Sequence, residues 1–214
     1  QTCALPISGC AKKPEVTREK KQDINGQLKL NLSAEPTYLN PILSTDSASS
    51  SVSGLVFNGL FKVNETLDLV PDLISTYNVN EQGTVYTFTL KKNILFHDGK
   101  PLTADDVVFT FKKIQDKKTN TVRRSNYMIA GEPILFKKLD AETVQAILPK
   151  PFAPFLVHMT MGILPKHLLQ NEDINTTSFN RNPIGSGPFI FQEWKAAQYV
   201  KLTRNETYFG EKPK

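Results

Sequence analysis

The chain has 214 residues, 39% of them hydrophobic and 22% charged, and carries a net charge of +5. That is the composition of an ordinary folded protein with a real core, long enough for one large domain or two small ones. Its lysines are scattered among acids, so the concentrated basic patch of a nucleic-acid binder is missing, and no apolar run approaches the ~20 residues of a membrane-spanning helix.

Residues 1–7, QTCALPI, lack the basic start and apolar core of a secretory leader. They match, codon for codon, the translation of the sequencing adapter CAGACGTGTGCTCTTCCGATC, so they are expected to be an artefact, which makes Cys3 spurious. Ile7-Ser8-Gly9-Cys10 has the pattern of a bacterial lipoprotein cleavage site, with small residues before a cysteine that takes the lipid. Cys10 is therefore the expected lipidation site, and a chain with one lipidated cysteine holds no disulfide. Residues 11–25, AKKPEVTREKKQDIN, are strongly charged with few apolar side chains. They cannot bury enough surface to order themselves and suit a solvated tether.

GQLKLNLS at 26–33 alternates Leu28, Leu30 and Leu32 with polar residues, the pattern of a half-buried strand. EPTYLNP breaks it. The spacing of Val52, Leu55, Val56 and Gly59 predicts a helix over 49–59, with Ser49, Ser50 and Ser51 available as N-caps. TVYTFTLKK is a strand with Tyr86, Phe88 and Leu90 on one face. In FHDGKPLTADDVV, Asp98-Gly99 signals a turn, and Thr103 with Asp106 forms a capping-box variant. Ala104, Val107, Val108, Phe111 and Ile114 then recur at helical spacing. The acids of this stretch are consumed by helix initiation, where the helix dipole favours them. His97 has no second histidine at metal-ligand spacing. The three histidines, His97, His158 and His167, have no G-x-S-x-G or H-E-x-x-H context, so a binder is expected and not an enzyme.

VYTFTLKKNILFHDGKPLTADDVVFTFKKI resembles the signature of the family 5 extracytoplasmic solute-binding proteins, the oligopeptide- and dipeptide-binding components of ABC importers. EPTYLNP, VFNGLF, LVPDLIST, GILPKHLL, NPIGSGPFIFQEW and NETYFGEKPK follow in the family's order, so the resemblance covers 26–214. It implies an α/β chain of the periplasmic-binding-protein-like type II bilobed fold, with an inserted α+β domain, truncated before the second lobe. On that reading 1–25 hold the artefact, lipidation site and tether, 26–57 the first part of the first lobe, 58–165 the inserted domain, and 166–214 the second, incomplete part of that lobe.

The resemblance also implies a role: capture of extracellular peptides and delivery to an ABC permease with its ATPase subunits. The protein would be a monomer, lipid-anchored through Cys10 on the outer face of the bacterial membrane, without a cofactor, metal or nucleic-acid partner. Counting on from Leu39-Asn40-Pro41, where the family more often has Asp in the middle, places Thr45, Asp46 and Ser47 on the loop that contacts peptide backbone. His158 falls where some members line a side-chain pocket, and Arg123 and Arg124 fall near the cleft. The same fold also serves binders of nickel chelates, haem, oligosaccharides or opines, and receptors for peptide pheromones, which fold analogy alone does not separate.

Overall fold

The computed structural model describes residues 26–213. The adapter-like start, the Cys10 lipidation site and the tether therefore lie outside the described residues. The chain divides into two units, Gln1–Asn31 and Leu32–Lys214. In the described part of the first, Gly26 turns at φ 63° and the residues after it form no strand. This corrects the strand expected at 26–33. Leu28 and Leu30 are 80% and 66% exposed. Alternation marks a strand only where a neighbour completes the hydrogen-bond ladder, and among the described residues nothing pairs with this segment.

The second unit begins with helix α1 (Ser47–Val56), shorter than the spacing suggested and capped by Asp46 instead of a serine. It ends because Phe57 turns extended and carries the chain inward, so that residues 57–60 are buried backbone. Gly59 is where that backbone crosses the 159–160 segment; a Cβ there would lie 2.6 Å from the Thr160 carbonyl carbon. A small hairpin follows, β1 (Phe61–Val63) with β2 (Leu69–Pro71).

The main sheet has four antiparallel strands in the order β3-β4-β8-β7: β3 (Ile74–Val79), β4 (Val85–Leu90), β7 (Leu135–Lys138) and β8 (Thr143–Ile147). Register pairs Phe88 with Val144, and Ala146 with both Tyr86 and Phe136. Period-2 alternation therefore puts Phe88, Leu90, Val144, Ala146 and Phe136 on the core face. Thr87, Thr89, Gln145 and Lys137 take the other. The strand expected at 84–92 forms with the expected face inward.

Helix α2 (Ala104–Gln115) covers part of that core face, burying Ala104, Val107, Phe111 and Ile114 as its spacing predicts. Phe111 stacks on Phe136 at 4.2 Å between ring centroids. The hairpin β5 (Met128–Ile129) and β6 (Glu132–Pro133) turns at Ala130 and Gly131, both at positive φ. Helix α3 (Phe155–His158) sets Phe155 against Tyr86 at 4.6 Å. Helix α4 (Lys166–Leu169) is tied to α2 because Asp106, which also accepts from the Thr103 N–H, accepts from the Lys166 N–H at 2.9 Å. The hairpin β9 (Phe189–Lys195) and β10 (Tyr199–Arg204) follows. Glu35 accepts from Trp194 Nε1 and from the Ala197 N–H of that hairpin, both at 3.1 Å. One hydrophobic core runs from Ile42 to Phe179 through all these layers.

Candidate functional site

Thr45, Asp46 and Ser47 lie where the chain enters α1. Thr45 and Ser47 are exposed, while Asp46 is the N-cap. Its carboxylate accepts from the Ser49 N–H and Oγ, both at 2.7 Å, from Thr37 Oγ1 at 2.6 Å, and more weakly from the Thr37 N–H at 3.4 Å. Partial burial works against its charge, but the hydrogen bonds from Thr37 and Ser49 win and hold the carboxyl down at about 2. The lone pairs of Asp46 are thus committed to shaping the loop, and Thr45 and Ser47 are the members left open to solvent.

A folded carboxyl held below its ordinary 3.8 contributes stability that is present above that value and lost as pH falls through about 2. Urea midpoints measured from about pH 5 to pH 2 should fall less steeply in Asp46→Asn than in the parent. Asp46→Ala should cost about 1 kcal/mol near neutral pH, the usual loss of an N-cap. Parallel pH profiles for parent and Asp46→Asn would contradict the assignment.

The loop is braced from beneath by residues 121–127, a short 3-10 turn over Val122–Tyr127 with its cap. Thr121 Oγ1 donates to the Ile42 carbonyl at 2.6 Å, and Arg123 Nη2 donates to the Ser44 carbonyl at 2.7 Å. At the other end of the same turn the Tyr127 hydroxyl donates to the His158 carbonyl at 2.8 Å. The 3-10 rise of ~2 Å per residue puts Arg123 and Tyr127 roughly 8 Å apart along the turn. One element therefore holds both the 44–47 loop and His158. The His158 ring stacks on Phe152 at 5.9 Å, nearly parallel, and burial pushes its pKa down. Burial drives the Tyr127 phenol well above its ordinary value, against the pull of Arg123, so it stays a neutral donor. Arg124 instead caps α2, donating to the Asp116 and Thr119 carbonyls. Arg123 Nε is buried without an acceptor among the described residues.

Asn40 is fully buried and wired into the scaffold. It donates to Asn180 Oδ1 at 2.9 Å and accepts from the Ile42 N–H at 3.2 Å, which fixes the approach to the loop. Tyr127 was not visible as a site residue in the sequence. A single Tyr in a polar turn carries no signal until the acceptor at residue 158 is known. The acids of the HDG…ADD stretch are engaged structurally: Asp98 with His167 at 2.7 Å, and Asp105 with Lys138 and Lys166. Two shallow hollows of about 410 and 320 Å³ lie elsewhere, one lined by Lys62, Tyr208 and Lys212, the other by Asp116, Glu172 and Asn175. Among the described residues no three His, Cys, Asp or Glu gather as a metal site, and no helix is long and apolar enough to cross a membrane. What the arrangement offers is a loop with exposed hydroxyls at Thr45 and Ser47, held from within by Arg123, and a half-buried histidine. That is equipment for holding a polar ligand by hydrogen bonds.

The family model of the bacterial extracellular solute-binding proteins, family 5 Middle, matches residues 68–214. The oligopeptide-binding protein AppA of Bacillus subtilis (strain 168) is 38% identical over 199 residues, covering 90% of this chain and 36% of AppA. The structure of that AppA in complex with a nonapeptide superimposes with a TM-score of 0.76 at 38% identity, covering 82% of this chain and 35% of the other. NikZ from Campylobacter jejuni in complex with Ni(L-His) gives a TM-score of 0.76 at 37% identity, covering 84% and 35%. The chain thus spans about a third of the length of the relatives it matches.

Proposed function

The chain belongs to the bacterial extracellular solute-binding proteins of family 5, and on that premise we propose that it serves an ABC importer by capturing peptides outside the cell and delivering them to the membrane permease unchanged. In this proposal residues 26–57 and 166–214 belong to the first lobe, 58–165 to the inserted domain, and Cys10 carries the lipid that keeps the protein at the membrane.

The likeness to an oligopeptide-binding protein over 90% of the chain carries the reading. The loop geometry supports it. Every peptide presents the same backbone donors and acceptors, so a binder of many sequences must meet them with its own main chain and small polar groups, in wet pockets that tolerate varied side chains. Thr45 and Ser47, exposed on a loop stiffened by Asp46 and Arg123, supply such groups, and His158 supplies a half-apolar wall. Asp46 is assigned to the site as the residue that shapes the loop and not as a direct contact.

A nickel–histidine complex is a second reading, favoured by the equal likeness to NikZ. Both are tested by incubating the complete gene product with a defined peptide pool and with nickel plus histidine, then identifying what is retained by native mass spectrometry. Retained peptides released intact support the first reading; retained nickel with histidine and no peptide supports the second. Cleaved peptides, or retention of neither, would overturn the proposal.

A further inference from the structure

His97 sits in the turn before α2, far in sequence from the candidate loop, and the solute-binding reading leaves it unused. Its ring reaches two points of the Gly185-Ser186-Gly187-Pro188 loop at once. Nε2 lies 3.0 Å from the Gly187 carbonyl, and the Gly185 N–H points at Nδ1 from 3.2 Å. A backbone bond, His97 N–H to Gly185 carbonyl at 2.8 Å, fixes the pair in register. Only one protonation state satisfies this geometry. Nε2 must carry the proton and Nδ1 the lone pair, because the Gly187 carbonyl can only accept and the Gly185 N–H can only donate.

The clasped loop is in turn pressed on the end of α1. The Gly187 N–H donates to the Val56 carbonyl at 2.8 Å, taking one of the acceptors that a helix C-terminus leaves open. The other end of that helix, some ~15 Å away for a helix of this length, is the Asp46 cap and the Thr45–Ser47 loop.

We infer that His97 is a positioning residue of the solute site: its neutral ring clamps the 185–188 loop to the C-terminal end of α1, and so sets the helix that presents Thr45 and Ser47 at its other end. The stability part of this inference stands on the geometry alone, whereas its effect on ligand rests on the solute-binding reading.

The clamp is sensitive to acid. Protonation puts a hydrogen on Nδ1, which then faces the Gly185 N–H, donor against donor. Burial lowers the His97 pKa below its ordinary value, with the Gly187 carbonyl and the Asp98 charge pulling the other way. Asp98 is the charged group that bears on the ring, and it is itself held by His167 of α4; the facing 185–188 loop contributes no ionisable side chain. Because the folded pKa is depressed, the clamp's contribution is complete above the ordinary histidine value of ~6.5 and is lost as pH falls below it, through the folded value.

Glutamine at 97 offers one acceptor and one donor over a similar reach and does not titrate. Between about pH 7.5 and pH 5, the melting temperature of the wild-type full chain should fall by about 3 °C more than that of His97→Gln. His97→Leu should lose several degrees at both pH values. Ring nitrogen NMR shifts of the wild type at pH 7.5 should show Nε2 protonated and Nδ1 bare. Parallel pH profiles for wild type and His97→Gln, or a ring protonated on Nδ1, would overturn the clamp; should His97→Gln fail to fold, the ring shifts decide. With a peptide retained by the complete gene product, affinity should fall about threefold or more over the same pH interval in wild type and hold in His97→Gln. Equal affinity at both pH values in wild type would overturn the positioning role. Retention of no solute at any pH would count against the solute-binding reading, while the melting and NMR results would still decide the clamp.

Discussion

Gly185→Ala should cost about 4 kcal/mol or more and leave little folded chain at 37 °C. A Cβ built on Gly185 would lie 1.9 Å from the Val56 carbonyl oxygen and 2.7 Å from its carbon. Both are backbone atoms at the end of a helix whose other side is packed in the core, so neither can swing away as a flexible side chain would. Ordinary overpacking costs ~1–3 kcal/mol. Here the clash also forces apart the Gly187–Val56 hydrogen bond and both hydrogen bonds of the His97 ring, each worth ~1 kcal/mol. Marginal stabilities of ~5–15 kcal/mol leave little reserve for such a sum. Gly187→Ala should behave alike, since its Cβ would stand 2.5 Å from the Leu55 carbonyl oxygen. Gly54 provides the control. It lies inside α1, where an added Cβ would meet nothing within 4 Å, and alanine there should stabilise by about 0.5–1 kcal/mol. Urea unfolding followed through Trp194, the single tryptophan, reads all three. A loss below about 1 kcal/mol for Gly185→Ala would contradict the close approach seen between the two backbones.

That pair of glycines shows where the sequence stops being readable. G-S-G-P looks like a weak loop motif, and its meaning is a crossing with Val56 that no local pattern encodes. By contrast, α2 and β4 were legible because their signals are local: helical spacing after a turn and a cap, and strict alternation of aromatics with threonines. The start of α1 fell between these cases. Ser49, Ser50 and Ser51 were the caps the pattern offered, but Asp46 takes the role, accepting from the Ser49 N–H and from the hydroxyl of Thr37 nine residues upstream. At 26–33 the alternation was real and the strand still absent, because a strand needs a partner that the pattern does not name. Within the candidate site, Thr45–Ser47 and His158 were placed by family resemblance. The brace that joins them was not, because Tyr127 and Arg123 work through backbone carbonyls, which leave no mark on the sequence at the accepting end.

Phe111→Ala should cost about 4 kcal/mol, in the range of buried Phe truncations, and should disturb the candidate site as well as the core. Phe111 is fully buried, stacked on Phe136 and 5.1 Å from the Tyr127 ring. Removing it opens a cavity between α2 and the sheet and takes away the surface on which Tyr127 rests. Tyr127 holds the His158 carbonyl, so the loss reaches α3 as well as the helix that carries Phe111. Phe109 separates burial from mere aromatic content. It is only partly buried, with Lys113 over its ring at 5.6 Å, and Phe109→Ala should cost about 1 kcal/mol. Phe111→Leu, which keeps much of the volume, should recover more than half of the loss. Urea midpoints measure the three costs, and amide exchange at Met159 and Thr160 measures the loosening of α3, which should increase in Phe111→Ala and not in Phe109→Ala. Equal costs for the two alanine variants would mean that α2 does not seat Phe111 against β7. Unchanged exchange at Met159 would mean that Tyr127 holds His158 without help from the core, and the site would then be independent of the packing beneath it.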